Sequence, residues 1–186
     1  MKITFELSET DLDHFRAVML RAREACGNLD EAAIIANARD VLLQIHAADT
    51  SDFIRERLQR LETLIGMVVD EAWGMESEDR SRVLEALAYF SEPQDLIPDD
   101  IPGLGFLDDA IMVEICSNAL EHELQAYRDF CVFRTAEATR LGEDAATLMR
   151  SDWLEERRQQ LHSRMRRRRR RGSSSGDGRG SSFSLF

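Results

Sequence analysis

Apolar residues recur every three or four positions along most of the chain, which is the spacing of the buried face of an α-helix. Residues 51–73 keep this spacing over six apolar positions: Ile54, Leu58, Leu61, Ile65, Val68 and Ala72. The pattern also predicts helices over the following approximate ranges: 8–25, 30–47, 77–90, 107–140 and from about residue 144 onward. We therefore expect an all-α fold, a bundle of about six helices in which 107–140 is the longest.

Capping residues mark the starts of several predicted helices. Ser8 and Asp11 have the spacing of a capping box, and Ser51 and Ser77 stand at the start of periodic apolar segments. Residues 2–7 instead alternate polar and apolar side chains, which is typical of a short strand. Because no second strand is predicted, this segment either caps the bundle or pairs with its own copy in a homo-oligomer.

The charge of the chain is divided between two segments. Residues 1–163 hold 16 basic and 34 acidic residues, a formal net charge of −18. Residues 164–186 hold eight arginines and one aspartate, which gives +7, and glycine and serine dominate from residue 172 onward. We therefore predict a helical domain over 1–163 and a disordered, flexible basic tail over 164–186.

Arginine fills seven of the eight positions 164–171: Arg164, Arg166, Arg167, Arg168, Arg169, Arg170 and Arg171. Such a run binds anions, so an anionic membrane surface, an acidic protein and nucleic acid are all candidate partners. No aromatic residue separates the arginines, so any binding of nucleic acid would be nonspecific. Phe183, Leu185 and Phe186 add apolar groups that would support attachment to a membrane. The remaining alternative is that the tail pairs with the acidic part of its own chain or of a neighbouring copy.

Residues 91–110, SEPQDLIPDDIPGLGFLDDA, differ from the rest of the chain in composition. They include Pro93, Pro98, Pro102, Gly103 and Gly105. Because proline fixes φ and disfavours helical geometry in the residue before it, we expect a structural corner in front of the longest helix. The apolar residues of this corner either pack inward or form an exposed binding patch.

The corner resembles the signature of the YkvA-like family, a small and mostly bacterial helical domain of unknown function. The residues that carry the resemblance lie between Tyr89 and Ala110 and include the elements D-L-I-P-D, I-P-G-L-G and L-D-D. The similarity extends over about residues 80–120. It implies an all-helical domain built around the corner and implies no established reaction. Related sequences can carry this segment beside membrane-embedded helices, whereas no spanning helix is predicted here.

Five aspartates of the corner are candidate ligands of a divalent cation: Asp95, Asp99, Asp100, Asp108 and Asp109. Hard cations such as Mg²⁺ and Ca²⁺ prefer several oxygen ligands, which a glycine-containing corner could bring together. The alternating pattern of a calcium-binding loop is absent. The pattern favours a role for these aspartates in capping helix ends and closing turns, and catalysis by paired carboxylates is a third alternative.

Motifs of the common catalytic classes are absent from the sequence, including those of zinc hydrolases, serine hydrolases and nucleotide-binding loops. The three cysteines form no metal-binding pair, which is typical of buried thiols in a reducing compartment. The sequence therefore favours a non-enzymatic, cytoplasmic interaction module without a cofactor. We expect its tail to tether it to an acidic partner or to the inner face of the membrane.

Overall fold

The computed structural model describes residues 8–26, 30–48, 50–91, 97, 101, 105–142 and 152–174. These residues form seven α-helices and one short 3₁₀ helix, and they include no strand, which confirms the predicted all-α fold. The elements are α1 (Glu9–Cys26), α2 (Glu31–Ala47), α3 (Asp52–Val69), α4 (Ser77–Leu87), the 3₁₀ helix (Ala88–Ser91), α5 (Leu107–Ala119), α6 (Glu121–Leu141) and α7 (Asp152–Ser174). The strand-like segment 2–7 lies outside the described residues.

The chain divides into two compact units, Met1–Leu120 and Glu121–Phe186. The first unit contains α1 to α5 and the 3₁₀ helix, and the second contains α6 and α7. The domain boundary that the sequence predicts at residue 163 falls inside α7.

Helix α3 is the central element of the first unit and packs against α2, α4 and α5. The six apolar residues that define its predicted face are all buried, and Leu61 and Leu64 have no exposed surface. Burying a leucine side chain stabilises a fold by about 2 kcal/mol. The three-to-four spacing therefore identified the side of α3 around which this unit is built.

The capping residues predicted for α1 and α3 form the expected hydrogen bonds. The Ser8 amide donates a hydrogen bond to Asp11 Oδ2 over 2.8 Å, and the Asp11 amide donates to Ser8 Oγ over 3.3 Å. The hydrogen bonds from the Ser8 hydroxyl and amide lower the pKa of the Asp11 carboxyl. The Ile54 amide donates to Ser51 Oγ, so Ser51 caps α3. Ser77, in contrast, is the first helical residue of α4, and Glu76 occupies the capping position.

Helix α3 ends at Val69, four residues before the predicted end at Trp73. One oxygen of the Asp70 carboxylate accepts hydrogen bonds from the amides of Ala72 and Trp73. This local turn competes with continuation of the helix. Gly74 follows with a φ of 54°, a left-handed conformation that glycine adopts without steric cost.

The longest predicted helix, 107–140, is divided into α5 and α6. Leu120 leaves the helical conformation, with φ −112° and ψ 22°, while its amide still donates to the Cys116 carbonyl. No proline or glycine stands between Leu107 and Leu141. The apolar pattern therefore continues through the break, which explains why the prediction of one helix was wrong.

Arginine and glutamate side chains connect the helices of the first unit. Arg80 of α4 pairs with Glu31 of α2 and donates a 2.6 Å hydrogen bond to the Val68 carbonyl at the end of α3. The hydrogen bond from Arg80 lowers the pKa of the Glu31 carboxyl. Glu114 of α5 accepts a hydrogen bond from Arg60 of α3 over 2.5 Å and forms an ion pair with Arg57 of the same helix at 3.2 Å. Each carboxylate therefore links two helices that are distant in sequence.

The arginine run is helical, whereas the sequence analysis assigned it to a flexible tail. Helix α7 includes Arg164 and all of 166–171 and continues to Ser174. Arginine is a good helix former, and no glycine or proline stands between Asp152 and Arg171. Acidic residues of α6 offset part of the repulsion between the arginines, as described below. Residues 175–186 lie outside the described part of the chain.

Candidate functional site

The corner of the first unit is held by the carboxylate of Asp108, in the first turn of α5. Asp108 is 1% exposed. Its Oδ2 atom accepts hydrogen bonds from the Tyr89 hydroxyl at 3.5 Å and from the Ile97 amide at 3.1 Å. The carboxylate thereby joins the 3₁₀ helix, the corner and the start of α5. We call Tyr89, Ile97 and Asp108 the clasp.

Phe106, just before α5, has a left-handed backbone with φ 62° and ψ 13°. This conformation costs a non-glycine residue about 1–2 kcal/mol and persists where surrounding contacts enforce it. The Phe106 side chain is buried, its carbonyl accepts from the Ala110 amide, and the preceding Gly105 amide donates to the Ile101 carbonyl over 2.8 Å. Burial of Phe106 and these two hydrogen bonds hold the strained turn.

The structure describes only part of the predicted corner. Asp108 and Asp109 are both buried, and Gly105 is buried beside them. Asp95, Asp99, Asp100, Pro93, Pro98, Pro102 and Gly103 lie outside the described residues. Among the residues that are described, no group of three or more histidine, cysteine or acidic side chains is arranged to hold a metal ion. The cation site therefore stays a prediction, and the Asp108 carboxylate already serves the clasp.

The clasp lies within the part of the chain that resembles a known family. Residues 81–115 match the family described as "Protein of unknown function (DUF1232)". This match confirms the resemblance found in the sequence, since the YkvA-like label fits the family. The matched part, which we call the DUF1232 segment, runs from α4 through the 3₁₀ helix and the corner into α5. It covers about a fifth of the chain and supports a small helical domain of unknown function.

Comparison of the chain with curated proteins and with solved structures finds no significant match. None of the helices in the described ranges has the length and apolar character needed to cross a bilayer.

In the second unit, α6 packs against α7 through side-chain ion pairs and buried apolar residues. Glu123 of α6 is 1% exposed, and its Oε1 lies 3.2 Å from Nη1 of Arg169. Asp129, two turns further along α6, lies 3.8 Å from Arg164. On α7, Leu154, Leu161 and Met165 are buried. Arg164 and Arg169 therefore have acidic partners within their own unit.

The arginines that the sequence predicts to bind anions therefore differ in their exposure to solvent along α7. Arg164, Arg167, Arg168, Arg170 and Arg171 are exposed, while Arg166 and Arg169 are half-buried. Arg164, Arg168 and Arg171 follow each other by four and three positions and line one groove of about 640 Å³.

Acidic residues of α6, including Glu121 and Asp129, also line this groove. Nothing in the sequence pattern identifies these acids as partners of the arginine run. Acidic residues are common along the whole chain, and which of them lie near the arginine run depends on how α6 and α7 pack.

Cys116 of α5 is a buried thiol, as the sequence favours for the cysteines. It has no exposed surface, and burial raises its pKa to about 12. Its Sγ lies 3.6 Å from the Ala86 carbonyl. Because the thiolate is the reactive form, we expect Cys116 to resist alkylation by iodoacetamide at pH 8 in the native protein.

Mass spectrometry of tryptic peptides after timed alkylation measures this prediction. The half-buried Cys131 is the internal reference and should react faster. In urea both thiols should react at similar rates. Equal native rates for Cys116 and Cys131 would contradict the burial of Cys116.

Proposed function

We propose that this protein is a helical interaction module that docks on an anionic membrane surface through the exposed arginines of α7. The observation that carries the proposal is the placement of the arginine run on a helix. Five exposed arginines lie within eight residues of α7, so their positive charges are presented together. A flexible tail would have to lose conformational entropy to bring the same charges onto a surface, whereas a folded helix has already done so.

The packing of α7 determines which side chains are available for such a contact. Leu161 and Met165 are buried, and Arg169 is paired with Glu123. From Leu154 to Arg171, α7 has no exposed large apolar side chain. The contact would therefore be electrostatic, without insertion of α7 into the acyl chains. Each arginine near an anionic lipid surface contributes on the order of 1 kcal/mol.

A membrane surface fits this arrangement better than nucleic acid does. An electrostatic surface contact needs clustered charge and no stacking groups, and the arginine run contains no aromatic side chain. The cytoplasmic leaflet carries the anionic lipids, so the inner face of the membrane is the proposed location. Phe183, Leu185 and Phe186 would add apolar contacts to this attachment.

Sedimentation with lipid vesicles tests the proposal. The full chain should bind vesicles that contain phosphatidylglycerol and should not bind vesicles of phosphatidylcholine alone. Raising the salt concentration from 0.1 M to 0.5 M should weaken binding at least about tenfold, because exposed charges are screened. Failure to bind anionic vesicles at low salt would overturn the proposal. Tighter binding to a random DNA duplex than to the vesicles would favour nucleic acid instead.

A further inference from the structure

The groove between α6 and α7 has walls of opposite charge. Arg164, Arg168 and Arg171 of α7 line it together with Glu121 and Asp129 of α6. At one point the walls are already paired, since Arg164 lies 3.8 Å from Asp129. The side-chain amide of Gln125 also donates, through Nε2, a 2.8 Å hydrogen bond to Asp129 Oδ1 and holds that carboxylate in place.

Two other charges of the groove are available to a ligand. Among the described residues, Arg168 and Glu121 make no ion pair, although both are exposed and both line the groove. The groove thus presents a guanidinium and a carboxylate that have no partner in this part of the chain. Glu121 is in the first turn of α6.

From these observations we infer that the groove binds a ligand with both a phosphate and a primary ammonium, the headgroup of an aminophospholipid. The guanidinium of Arg168 matches the phosphate, because its fork of donors bonds two phosphate oxygens at once. The carboxylate of Glu121 matches the ammonium. The inference rests on the proposed function, in which α7 already lies on the lipid surface, and it adds a preference among anionic lipids.

Vesicles of equal charge separate this preference from attraction to charge alone. Phosphatidylserine and phosphatidylglycerol each carry one net negative charge, but only phosphatidylserine has an ammonium. At equal mole fractions, the full chain should bind phosphatidylserine vesicles roughly two- to fivefold more tightly, the effect of one exposed ion pair. The Glu121→Gln variant should lose this difference.

The Glu121→Gln variant also distinguishes attraction to charge alone from a headgroup site, because the two predict different changes in vesicle binding. Removing a negative charge should strengthen binding to phosphatidylglycerol under plain electrostatics, while binding to phosphatidylserine should fall or stay level because the ammonium loses its partner. Glu137→Gln, a change at another acid of α6, is the matched control and should leave the lipid preference intact. Circular dichroism checks that each variant keeps its helix content.

The possible outcomes distinguish the two proposals. Equal wild-type binding to both anionic lipids would overturn the headgroup site and leave the proposed function standing. Binding to neither lipid would overturn both. Soluble O-phosphoserine should compete with phosphatidylserine vesicles, and inorganic phosphate at equal ionic strength should not. If O-phosphoserine binds while the vesicles show no lipid preference, the groove serves a free amino-phosphate and its assignment to lipid is overturned.

Discussion

Replacing Asp108 with alanine should lower the free energy of unfolding by about 3 kcal/mol, because the Tyr89 hydroxyl and the Ile97 amide lose their acceptor. The site is buried, so water cannot readily replace the carboxylate. Tyr89→Phe removes only the longer of the two hydrogen bonds and should cost about 1 kcal/mol. Urea denaturation followed by circular dichroism measures both changes.

Two controls make the Asp108 result specific to the clasp. Asp40→Ala removes an exposed aspartate of α2 and should change stability by less than about 0.5 kcal/mol. Repeating each measurement with EDTA and with Mg²⁺ or Ca²⁺ separates the clasp from the predicted cation site. The clasp predicts the same loss under all conditions, whereas a cation ligand would show its loss only when the cation is present. A loss no larger than that of Asp40→Ala would contradict the clasp.

Changing Arg164, Arg167, Arg168 and Arg170 together to glutamine should weaken binding to phosphatidylglycerol vesicles by about 100- to 1,000-fold. The estimate takes up to about 1 kcal/mol for each arginine near an anionic surface, and the four positions are exposed on α7. Glutamine has a helix propensity close to that of arginine, so α7 should persist. Vesicle sedimentation over a range of lipid concentrations gives the binding constants.

Lysine at the same four positions is the matched control for the arginine variant. It keeps the charge and loses the planar fork of donors, so vesicle binding should fall far less than in the glutamine variant. Changing Arg21, Arg39 and Arg55 of the first unit to glutamine removes exposed positive charge elsewhere and should have little effect. If these changes weakened binding as much as those in α7, the docking surface would not be the arginine run.

Local and periodic signals in the sequence predicted much of the fold. The face of α3 was recognisable because Leu58, Leu61 and Ile65 recur at helical spacing and are buried on one side. The capping box of Ser8 and Asp11 was recognisable because both partners lie within four residues of each other. Such features depend on near neighbours in the chain, which is why a single sequence contains enough information to predict them.

Features that depend on distant contacts or on subtle backbone changes were not predicted. The break at Leu120 carries no proline or glycine, and Phe106 is left-handed although it is not a glycine. The sequence indicated that the corner aspartates would serve as caps, turns or ligands. Only the structure shows that Asp108 bonds Tyr89, which lies 19 positions away.

The arginine run shows most clearly how much of the candidate site can be predicted from the sequence. Composition identified the anion-binding residues, and the glycine- and serine-rich residues that follow them favoured a flexible tail. In the structure α7 continues through the run, and Glu123 and Asp129 of α6 pair with Arg169 and Arg164. Those partners lie 46 and 35 positions away along the chain, so their relation to the run is set by helix packing.

Arginine-selective footprinting tests the central claim most directly. The full chain is treated with phenylglyoxal, alone and with phosphatidylglycerol vesicles, and modification of each arginine is followed by mass spectrometry. The account predicts that vesicles protect Arg164, Arg167, Arg168 and Arg170, while Arg39 and Arg55 of the first unit react at unchanged rates. Protein that binds the vesicles while those four arginines of α7 stay fully reactive would contradict it.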